Sequence, residues 1–189
     1  MFYKPRKPYF RYLMIAFLAM ALTSCRNNTQ DQSKQEPTKQ SLKKEALIEA
    51  NRSAIAAEKE MIKSYAQRRN WTLLKQASGI YYLRYEKGNG KSISPGDRVN
   101  YHYTLSLING SVVSSSSKGN PELIHIASGG SVVSGLHKGM MQLYEGDKAK
   151  LIVPSHLAYG IAGDQSKIPS KSTLIYDLEI LEVTSSSNP

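Results

Sequence analysis

The sequence has few of the residues that build disulfides, metal sites or covalent active sites. Its 189 residues include one cysteine and four histidines. A single cysteine excludes an intrachain disulfide. The histidines have neither the i, i+4 spacing of a helical metal site nor an accompanying acidic cluster, and no serine, histidine and acid are spaced as in a hydrolase. The sequence therefore predicts no metal and no cofactor. The four histidines are His102, His125, His137 and His156.

Acidic residues are scarce relative to basic ones. The chain has 25 Lys and Arg against 15 Asp and Glu, a formal net charge of +10. Four of the basic residues precede residue 13, so without residues 1–24 the chain has 21 basic and 15 acidic residues, a net charge of +6. The basic residues are scattered and form no dense block interleaved with aromatics. This charge favours solubility and attraction to anionic surfaces, and it does not indicate a nucleic-acid partner.

No apolar run in the sequence is long enough to cross a bilayer as a helix. The run LMIAFLAMAL at residues 13–22 has ten residues, about half of the roughly 20 that a span needs. It follows a basic stretch, as in a secretory signal peptide. Residues 22–25, LTSC, resemble the lipobox of bacterial lipoproteins. The sequence thus predicts a signal peptide over 1–24 and a lipid on Cys25, with an uncleaved anchor or a chance cysteine as the alternatives.

A lipid on Cys25 would hold the protein outside the cytoplasmic membrane. Several acyl chains, at about 0.8 kcal/mol per buried CH2, anchor a protein firmly to a leaflet. Arg26 rather than Asp follows the cysteine, which in Gram-negative sorting favours the outer membrane over the inner one. We therefore expect a lipid-anchored protein of the cell envelope. Residues 25–42, nearly free of apolar side chains, are predicted to be its flexible tether.

Residues 43–70 contain no Gly or Pro and are rich in helix formers. Apolar doublets recur along them every seven residues, which makes one apolar stripe on a helix. We therefore predict a long amphipathic helix over 43–70. The near-heptad spacing favours a helix that forms a homodimer with a second copy. The alternative is a stalk, or a helix packed against its own domain. The doublets are Leu47-Ile48, Ala54-Ile55 and Met61-Ile62.

Residues 71–189 have the composition and turn pattern of a β-rich domain. Beta-branched and aromatic residues become frequent, and turn signals recur. Asn109-Gly110 predicts a hairpin, and in residues 99–107 apolar side chains alternate with polar ones. Residues 131–146 have helical spacing that ends at Gly146, and residues 172–183 alternate again. Strands with one short helix predict an α+β domain. Asp147 and Lys148 are interpreted as a turn.

Five sequence blocks in this domain resemble the signature of the FKBP-type peptidyl-prolyl cis-trans isomerases. They are GDRVNYHYT, NGSVVSSSS, VVSGLHKGM, EGDKAKLIVPSHLAYG and IPSKSTLIYDLEIL, in the order and spacing of the family. The resemblance covers residues 79–183 and implies an antiparallel β-sheet curled around one short helix. With the lipobox, tether and helix in front, the chain looks most like the lipoprotein isomerases of Bacteroidota associated with gliding motility.

The resemblance also implies a pocket for proline-containing unfolded or exported polypeptides. Carried over position by position, the Tyr159 hydroxyl and the backbone N–H of Val133 donate hydrogen bonds to substrate carbonyls, and Tyr103 completes this catalytic set. Gly160 lets the loop turn away while Tyr159 stays at the rim. The substrate-binding wall comes from the early strands, the segment entering the short helix, and the last loops and strand. Its positions are Val113, Val132, Leu136, Ile168 and Tyr176.

Some positions depart from the family pattern. Val113 is a small aliphatic residue where active members carry an aromatic one, and Ser114 replaces an Asp that props the pocket. One further wall position is left open between Leu123, Ile124 and Ile126. The sequence favours a prolyl isomerase that assists the folding of exported proteins. It keeps as the alternative a chaperone or assembly factor that uses the same groove without turnover.

Overall fold

The computed structural model of the chain describes residues 39–116, 119–126 and 134–185. The predicted signal peptide, Cys25, tether residues 25–38, and the site residues Val132 and Val133 lie outside the described residues. The chain divides into two units, Met1–Ile48 and Glu49–Pro189. In the first unit, residues 39–48 are helical, and their side chains are exposed except for the half-buried Ser41.

Two α-helices, seven strands and one 3-10 turn follow one another in the described ranges. In chain order they are α1 (Lys39–Gln67), β1 (Leu74–Lys75), β2 (Tyr81–Glu86), β3 (Arg98–Leu107), β4 (Val112–Ser115), β5 (Glu122–His125), α2 (Ser134–Met140), β6 (Lys148–Val153), the 3-10 turn (Ser155–Leu157) and β7 (Leu174–Thr184).

Helix α1 begins four residues before its predicted start and ends three residues before its predicted end. Residues 39–42, predicted as tether, are helical because no Gly or Pro interrupts residues 38–70 and most of residues 39–42 are good helix formers. After the helix, Asn70 adopts a left-handed backbone conformation with φ of 54°, which helical residues do not adopt. No helix within residues 39–116, 119–126 and 134–185 is both long and apolar enough to cross a bilayer.

The seven strands form one antiparallel sheet in the order β1-β2-β6-β7-β3-β4, and β5 also pairs with β3. Strand β3 pairs with β7 along its whole length, while its other edge is shared by β5 at residues 98–101 and β4 at residues 104–106. The predicted hairpin is confirmed. Gly110 has φ of 95°, and the Ser111 N–H donates to the Asn109 side chain at 3.0 Å.

One face of the sheet encloses the main core together with α2. Val99, Tyr101 and Leu105 of β3 are buried in it, as the predicted alternation requires. The prediction that the helix runs to residue 146 is wrong, because α2 ends at Met140. Leu143 is nevertheless buried, since its N–H bonds the Met140 carbonyl oxygen at 2.9 Å in the turn that follows. The apolar residues therefore keep a helix-like spacing beyond the end of α2, because the following turn also directs Leu143 into the core.

The other face of the sheet is covered by the C-terminal end of α1. Ile62 and Tyr65 pack against Ile152 of β6 and Ile175 of β7. These central strands are therefore buried on both faces. Together with the curled antiparallel sheet around α2, this packing confirms the predicted α+β fold. Several apolar side chains of α1 remain 48–64% exposed, namely Leu47, Ile48, Ile55 and Met61.

Candidate functional site

A cavity of about 350 Å³ lies between strands β3, β4 and β7, helix α2, and the long loop that joins β6 to β7. The sequence predicted eight pocket residues, and the structure brings six of them together around this cavity. The other two, Val132 and Val133, fall in the range 127–133 that is not described. The six that line the cavity are Tyr103, Val113, Leu136, Tyr159, Ile168 and Tyr176.

The cavity has a buried floor and an accessible rim. Leu136 is 1% exposed and Ile168 is 4% exposed, so the floor and one wall are apolar and shielded from water. Tyr159 is 37% exposed at the rim. Tyr159 is therefore accessible at the rim, while Leu136 and Ile168 form a shielded apolar floor and wall.

The loop after β6 holds Tyr159 at this rim. The Ser155 carbonyl oxygen accepts the N–H of Ala158 at 3.1 Å and the N–H of Gly160 at 2.8 Å, which fixes the backbone on both sides of Tyr159. Gly160 has φ of 59°, in the left-handed region that favours glycine. The backbone therefore bends directly after Tyr159. The Tyr159 hydroxyl makes no hydrogen bond to any residue that the structure describes.

Four tyrosine side chains converge on the cavity. The rings of Tyr101 and Tyr103 are 5.8 Å apart between centroids, and those of Tyr103 and Tyr176 are 6.4 Å apart. Burial raises the pKa of Tyr176 above its ordinary value, and the neighbouring hydroxyls, first that of Tyr159, raise it further. Burial likewise raises the pKa of Tyr101, with a further contribution from the Glu122 carboxylate. Tyr101 and Tyr176 therefore stay protonated and uncharged at neutral pH.

Ser114, at the position where the resemblance implies an aspartate, contacts Tyr103. Its Oγ lies 3.0 Å from the hydroxyl of Tyr103. Either hydroxyl can donate the hydrogen bond and the other accepts it. The Tyr103 hydroxyl therefore keeps a partner on β4 without a carboxylate, and no negative charge enters the cavity at this position.

The wall that carries Ile168 is built by a compact loop around Asp164. The Asp164 Oδ1 accepts the N–H of Ser166 at 2.9 Å and the N–H of Ile168 at 2.6 Å. These donors, first the Ile168 N–H, lower the pKa of Asp164 below its ordinary value. The Lys167 Nζ reaches across to the Val113 carbonyl oxygen at 3.3 Å. The loop is thus tied both to itself and to β4.

Sequence reasoning missed several residues of the lining. Tyr101 and Leu105 were predicted to share a face of β3 with Tyr103, and that alternation was the signal for their place in the cavity. Glu122 lines the cavity, whereas the candidates Leu123, Ile124 and Ile126 do not. Leu123 is 61% exposed, and the two isoleucines are buried in the main core. The loop residues Asp164, Ser166 and Lys167 also line it, and only the turn-forming Asp164 carried a sequence signal.

The cavity lining carries charged side chains of both signs. Glu122 and Asp164 are acidic and Lys167 is basic, so the lining has no patch of one sign. Within the described ranges, no three His, Cys, Asp or Glu side chains cluster closely enough to hold a metal ion. The lining therefore offers apolar contacts, tyrosine and serine hydroxyls, and a few charged side chains of both signs.

Comparison with known protein families points to one family. Residues 90–181 match the sequence profile of the FKBP-type peptidyl-prolyl cis-trans isomerases. FK506-binding protein 1A of Emericella nidulans is 37% identical over 106 residues, which are 56% of this chain and 98% of that protein. The FKBP-type peptidyl-prolyl cis-trans isomerase FkpA of Buchnera aphidicola is 36% identical over 110 residues, 58% of this chain and 44% of that protein.

Several curated relatives are much longer than the region that matches this chain. A solved structure with lower sequence identity also shares its fold. The chain spans between 15% and 44% of the length of several curated relatives. The crystal structure of FkpA from Escherichia coli has a TM-score of 0.60 at 24% sequence identity, covering 96% of this chain and 84% of that one. At this identity the likeness shows a common fold.

Proposed function

Since the chain belongs to the family of FKBP-type peptidyl-prolyl cis-trans isomerases, we propose that its cavity binds an X-Pro segment of an unfolded polypeptide and accelerates rotation about the X-Pro bond. The observation that carries this proposal is the convergence of six family-matched residues on one cavity of about 350 Å³. That volume lies within the range of about 300–1,000 Å³ that is typical of ligand sites.

Such a cavity acts on the rate and leaves the equilibrium alone. Rotation is slow because twisting the peptide bond breaks amide resonance, with a barrier of about 18–20 kcal/mol. The two isomers of an X-Pro bond differ by only about 0.5–1 kcal/mol. The twisted amide has lost charge separation, so an apolar wall favours it over the planar amide that water solvates. Stronger binding of the twisted form than of the planar form is what lowers the barrier.

The residues of the cavity have distinct roles in this proposal. Leu136, Ile168 and Val113 supply the apolar surface on which the proline ring packs. The Tyr159 hydroxyl, exposed at the rim, donates a hydrogen bond to a carbonyl beside the proline, and the Val133 N–H is proposed to donate a second. These two bonds hold the segment in the half-rotated geometry. The reaction needs no nucleophile and no general base, in keeping with the uncharged tyrosines of the lining.

Tyr159→Phe is expected to lower kcat/KM about tenfold, because loss of one hydrogen bond made in the transition state raises the barrier by about 1.4 kcal/mol. The free energy of unfolding should hardly change, since the hydroxyl has no partner among the described residues. The measurement is a chymotrypsin-coupled assay on short Ala-X-Pro-Phe peptides with the chain from residue 26. Tyr144→Phe is a matched control, because Tyr144 is 40% exposed and lies outside the cavity. Equal turnover of all three proteins would remove Tyr159 from the mechanism.

The second candidate function is binding without turnover. It is favoured by an apolar groove of about 690 Å³ beside α1, where Ile55, Met61 and Ile161 are 49–75% exposed. A chaperone or assembly factor would use this surface and the cavity to hold an unfolded chain. If the wild-type protein gives no acceleration in the peptide assay and still suppresses aggregation of a denatured client, this second function replaces the first.

We further propose that the chain is a lipoprotein of the cell envelope. The support is the sequence: a basic stretch, an apolar run of ten residues, and LTSC ending at Cys25. In this proposal the acylated Cys25 anchors the domain to the outer membrane and residues 26–38 let it reach exported clients. The order of lipobox, tether, helix and isomerase domain resembles the gliding-motility isomerases of Bacteroidota, and we assign the chain to that form.

Cys25→Ala is expected to abolish acylation, because the thiol is the atom that receives the diacylglycerol. The wild-type chain expressed in a bacterial host should incorporate a palmitate analogue and partition into the detergent phase of Triton X-114. The variant should do neither. Ser24→Ala, which leaves the thiol in place, serves as the control. Acylation that persists in the Cys25 variant would contradict the anchor.

Pairing through the long helix is also part of the proposal. Ile55 and Met61 are 53% and 49% exposed, although both belong to the apolar stripe predicted over residues 43–70. A second copy would cover such side chains. Sedimentation of the chain from residue 26 measures this, and Ile55→Glu should convert a dimer to a monomer. A wild-type protein that sediments as a monomer would end this part of the proposal.

A further inference from the structure

The Glu58 carboxylate of helix α1 accepts three hydrogen bonds from the loop that joins β6 to β7. The Glu58 Oε1 accepts the N–H of Ser155 at 2.7 Å and the hydroxyl of Thr173 at 2.6 Å. The Glu58 Oε2 accepts the hydroxyl of Ser155 at 3.1 Å. Glu58 is half-buried, and Thr173 is 3% exposed. A charged acceptor roughly doubles the strength of such bonds.

Ser155 is the residue on which the Tyr159 loop is built. It begins the 3-10 turn, and the preceding Pro154 supplies no side-chain acceptor to that turn. Glu58 therefore satisfies the Ser155 N–H from a different element. The Ser155 carbonyl oxygen in turn accepts the N–H groups of Ala158 and Gly160, the two neighbours of Tyr159. Glu58 is thus linked to the backbone around Tyr159 through Ser155, which is hydrogen-bonded to both.

We propose that Glu58 is a positioning residue for prolyl isomerisation, holding Ser155 so that the Tyr159 hydroxyl stands at the rim of the cavity. The inference rests on the proposed function, because a hydroxyl needs an exact place only if it binds the substrate in the transition state. The helix in front of the domain then takes part in catalysis through this contact. A displacement of a catalytic group by about 1 Å can cost on the order of 100-fold in rate.

The contact to Thr173 separates positioning from simple attachment of the helix. Thr173→Val removes one hydrogen bond from the same carboxylate and leaves both bonds to Ser155. If Glu58 only fastens α1 to the domain, Thr173→Val and Glu58→Ala should both act through stability. If Glu58 positions Tyr159, only the loss of the Ser155 contacts should change turnover.

The experiment is a double-mutant cycle on the chain from residue 26, with kcat and KM measured at a temperature where circular dichroism shows every variant folded. We expect Glu58→Ala to lower kcat about five- to tenfold with little change in KM. In the Tyr159→Phe background the same substitution should lower kcat by less than about twofold, because the positioned hydroxyl is gone. Glu58→Gln keeps an acceptor for the Ser155 N–H and should retain most of the activity. Glu60→Ala, on an exposed position of the same helix, should have no effect.

A second readout does not depend on catalysis. The ring resonances of Tyr159, assigned in NMR spectra by comparison with Tyr159→Phe, should shift in Glu58→Ala and stay in place in Thr173→Val. Unmoved Tyr159 resonances in Glu58→Ala would overturn the inference even if the wild-type protein proved inactive. Equal losses of kcat from Glu58→Ala in both backgrounds would overturn it as well. A wild-type protein without isomerase activity, but with the expected shifts, would instead refute the proposed function alone.

Discussion

Asp147→Ala is expected to lower the free energy of unfolding by about 3–6 kcal/mol, because its carboxylate accepts two backbone hydrogen bonds and each bond to a charged group contributes about 1.5–3 kcal/mol. The Asp147 side chain is fully buried. Its Oδ1 accepts the N–H of Gly88 at 2.8 Å, and its Oδ2 accepts the N–H of Tyr144 at 2.8 Å. The Oδ2 also lies 3.4 Å from a guanidinium nitrogen of Arg84.

The expected loss follows from what the substitution leaves behind. Without the carboxylate, the N–H groups of Gly88 and Tyr144 lose their acceptor in a partly buried site. Each such orphaned group costs about 1–3 kcal/mol. The Arg84 side chain, 28% exposed, would turn to solvent and contribute less to the loss. The substitution would therefore remove the contacts by which Asp147, just before β6, holds β2 and the turn after α2.

Urea unfolding followed by circular dichroism measures this loss, because the midpoint moves in proportion to the free energy while the slope stays the same. Glu182→Ala is the control. Its exposed carboxylate accepts a hydrogen bond from the Asn100 side-chain amide at 3.1 Å, and surface changes of this kind stay within about 0.5 kcal/mol. A midpoint for Asp147→Ala as close to wild type as that of the control would show that the network contributes little.

The sequence predicted those parts of the fold that depend on repeated patterns. The alternation in β3, the hairpin at Asn109-Gly110 and the long helix all appear, because period and turn chemistry are local properties of the chain. The prediction of where α2 ends was wrong for the same reason. Leu143 keeps the helical spacing within a turn, and spacing alone cannot tell a buried turn from a further helical turn.

The candidate site was predicted as far as the family motifs reached. Tyr103, Tyr159 and Tyr176 stand in well-spaced motifs, and all three line the cavity. Glu122 was missed because no motif fixes the register of β5, so the wall position was sought among its apolar neighbours. Register is set by pairing with β3, which is a tertiary contact that the local sequence does not contain.

Carboxylate acceptors with distant partners were the least predictable feature. Asp147 follows Gly146 in a segment that reads as an ordinary turn, and Glu58 stands among the charged residues of an amphipathic helix. Nothing in either neighbourhood distinguishes a solvated carboxylate from one that accepts several hydrogen bonds. Their partners are distant in sequence, with Gly88 59 residues from Asp147 and Ser155 97 residues from Glu58. Such contacts become visible only when the chain is folded.

The two glycines of α2 are expected to respond differently to alanine, although alanine is favoured over glycine by about 1 kcal/mol within a helix. A Cβ on Gly135 would overlap Cγ1 of Val153 and lie 2.9 Å from the carbonyl oxygen of Leu157. A Cβ on Gly139 would lie 2.5 Å from Cδ1 of Leu151. The end of a leucine side chain can rotate away, whereas the Leu157 backbone is held in the 3-10 turn.

Gly135→Ala is therefore expected to destabilise the domain by about 1–3 kcal/mol, the usual cost of overpacking, despite the gain in helix propensity. It should also lower turnover, because α2 must move off β6 and carry Leu136 away from the floor of the cavity. Gly139→Ala is the matched variant and should fall much closer to wild type in both respects. Urea unfolding and the peptide assay on the two variants give the comparison. Equal stabilities would mean that propensity and local relaxation decide the packing of α2, and that close contact with the Leu157 backbone does not.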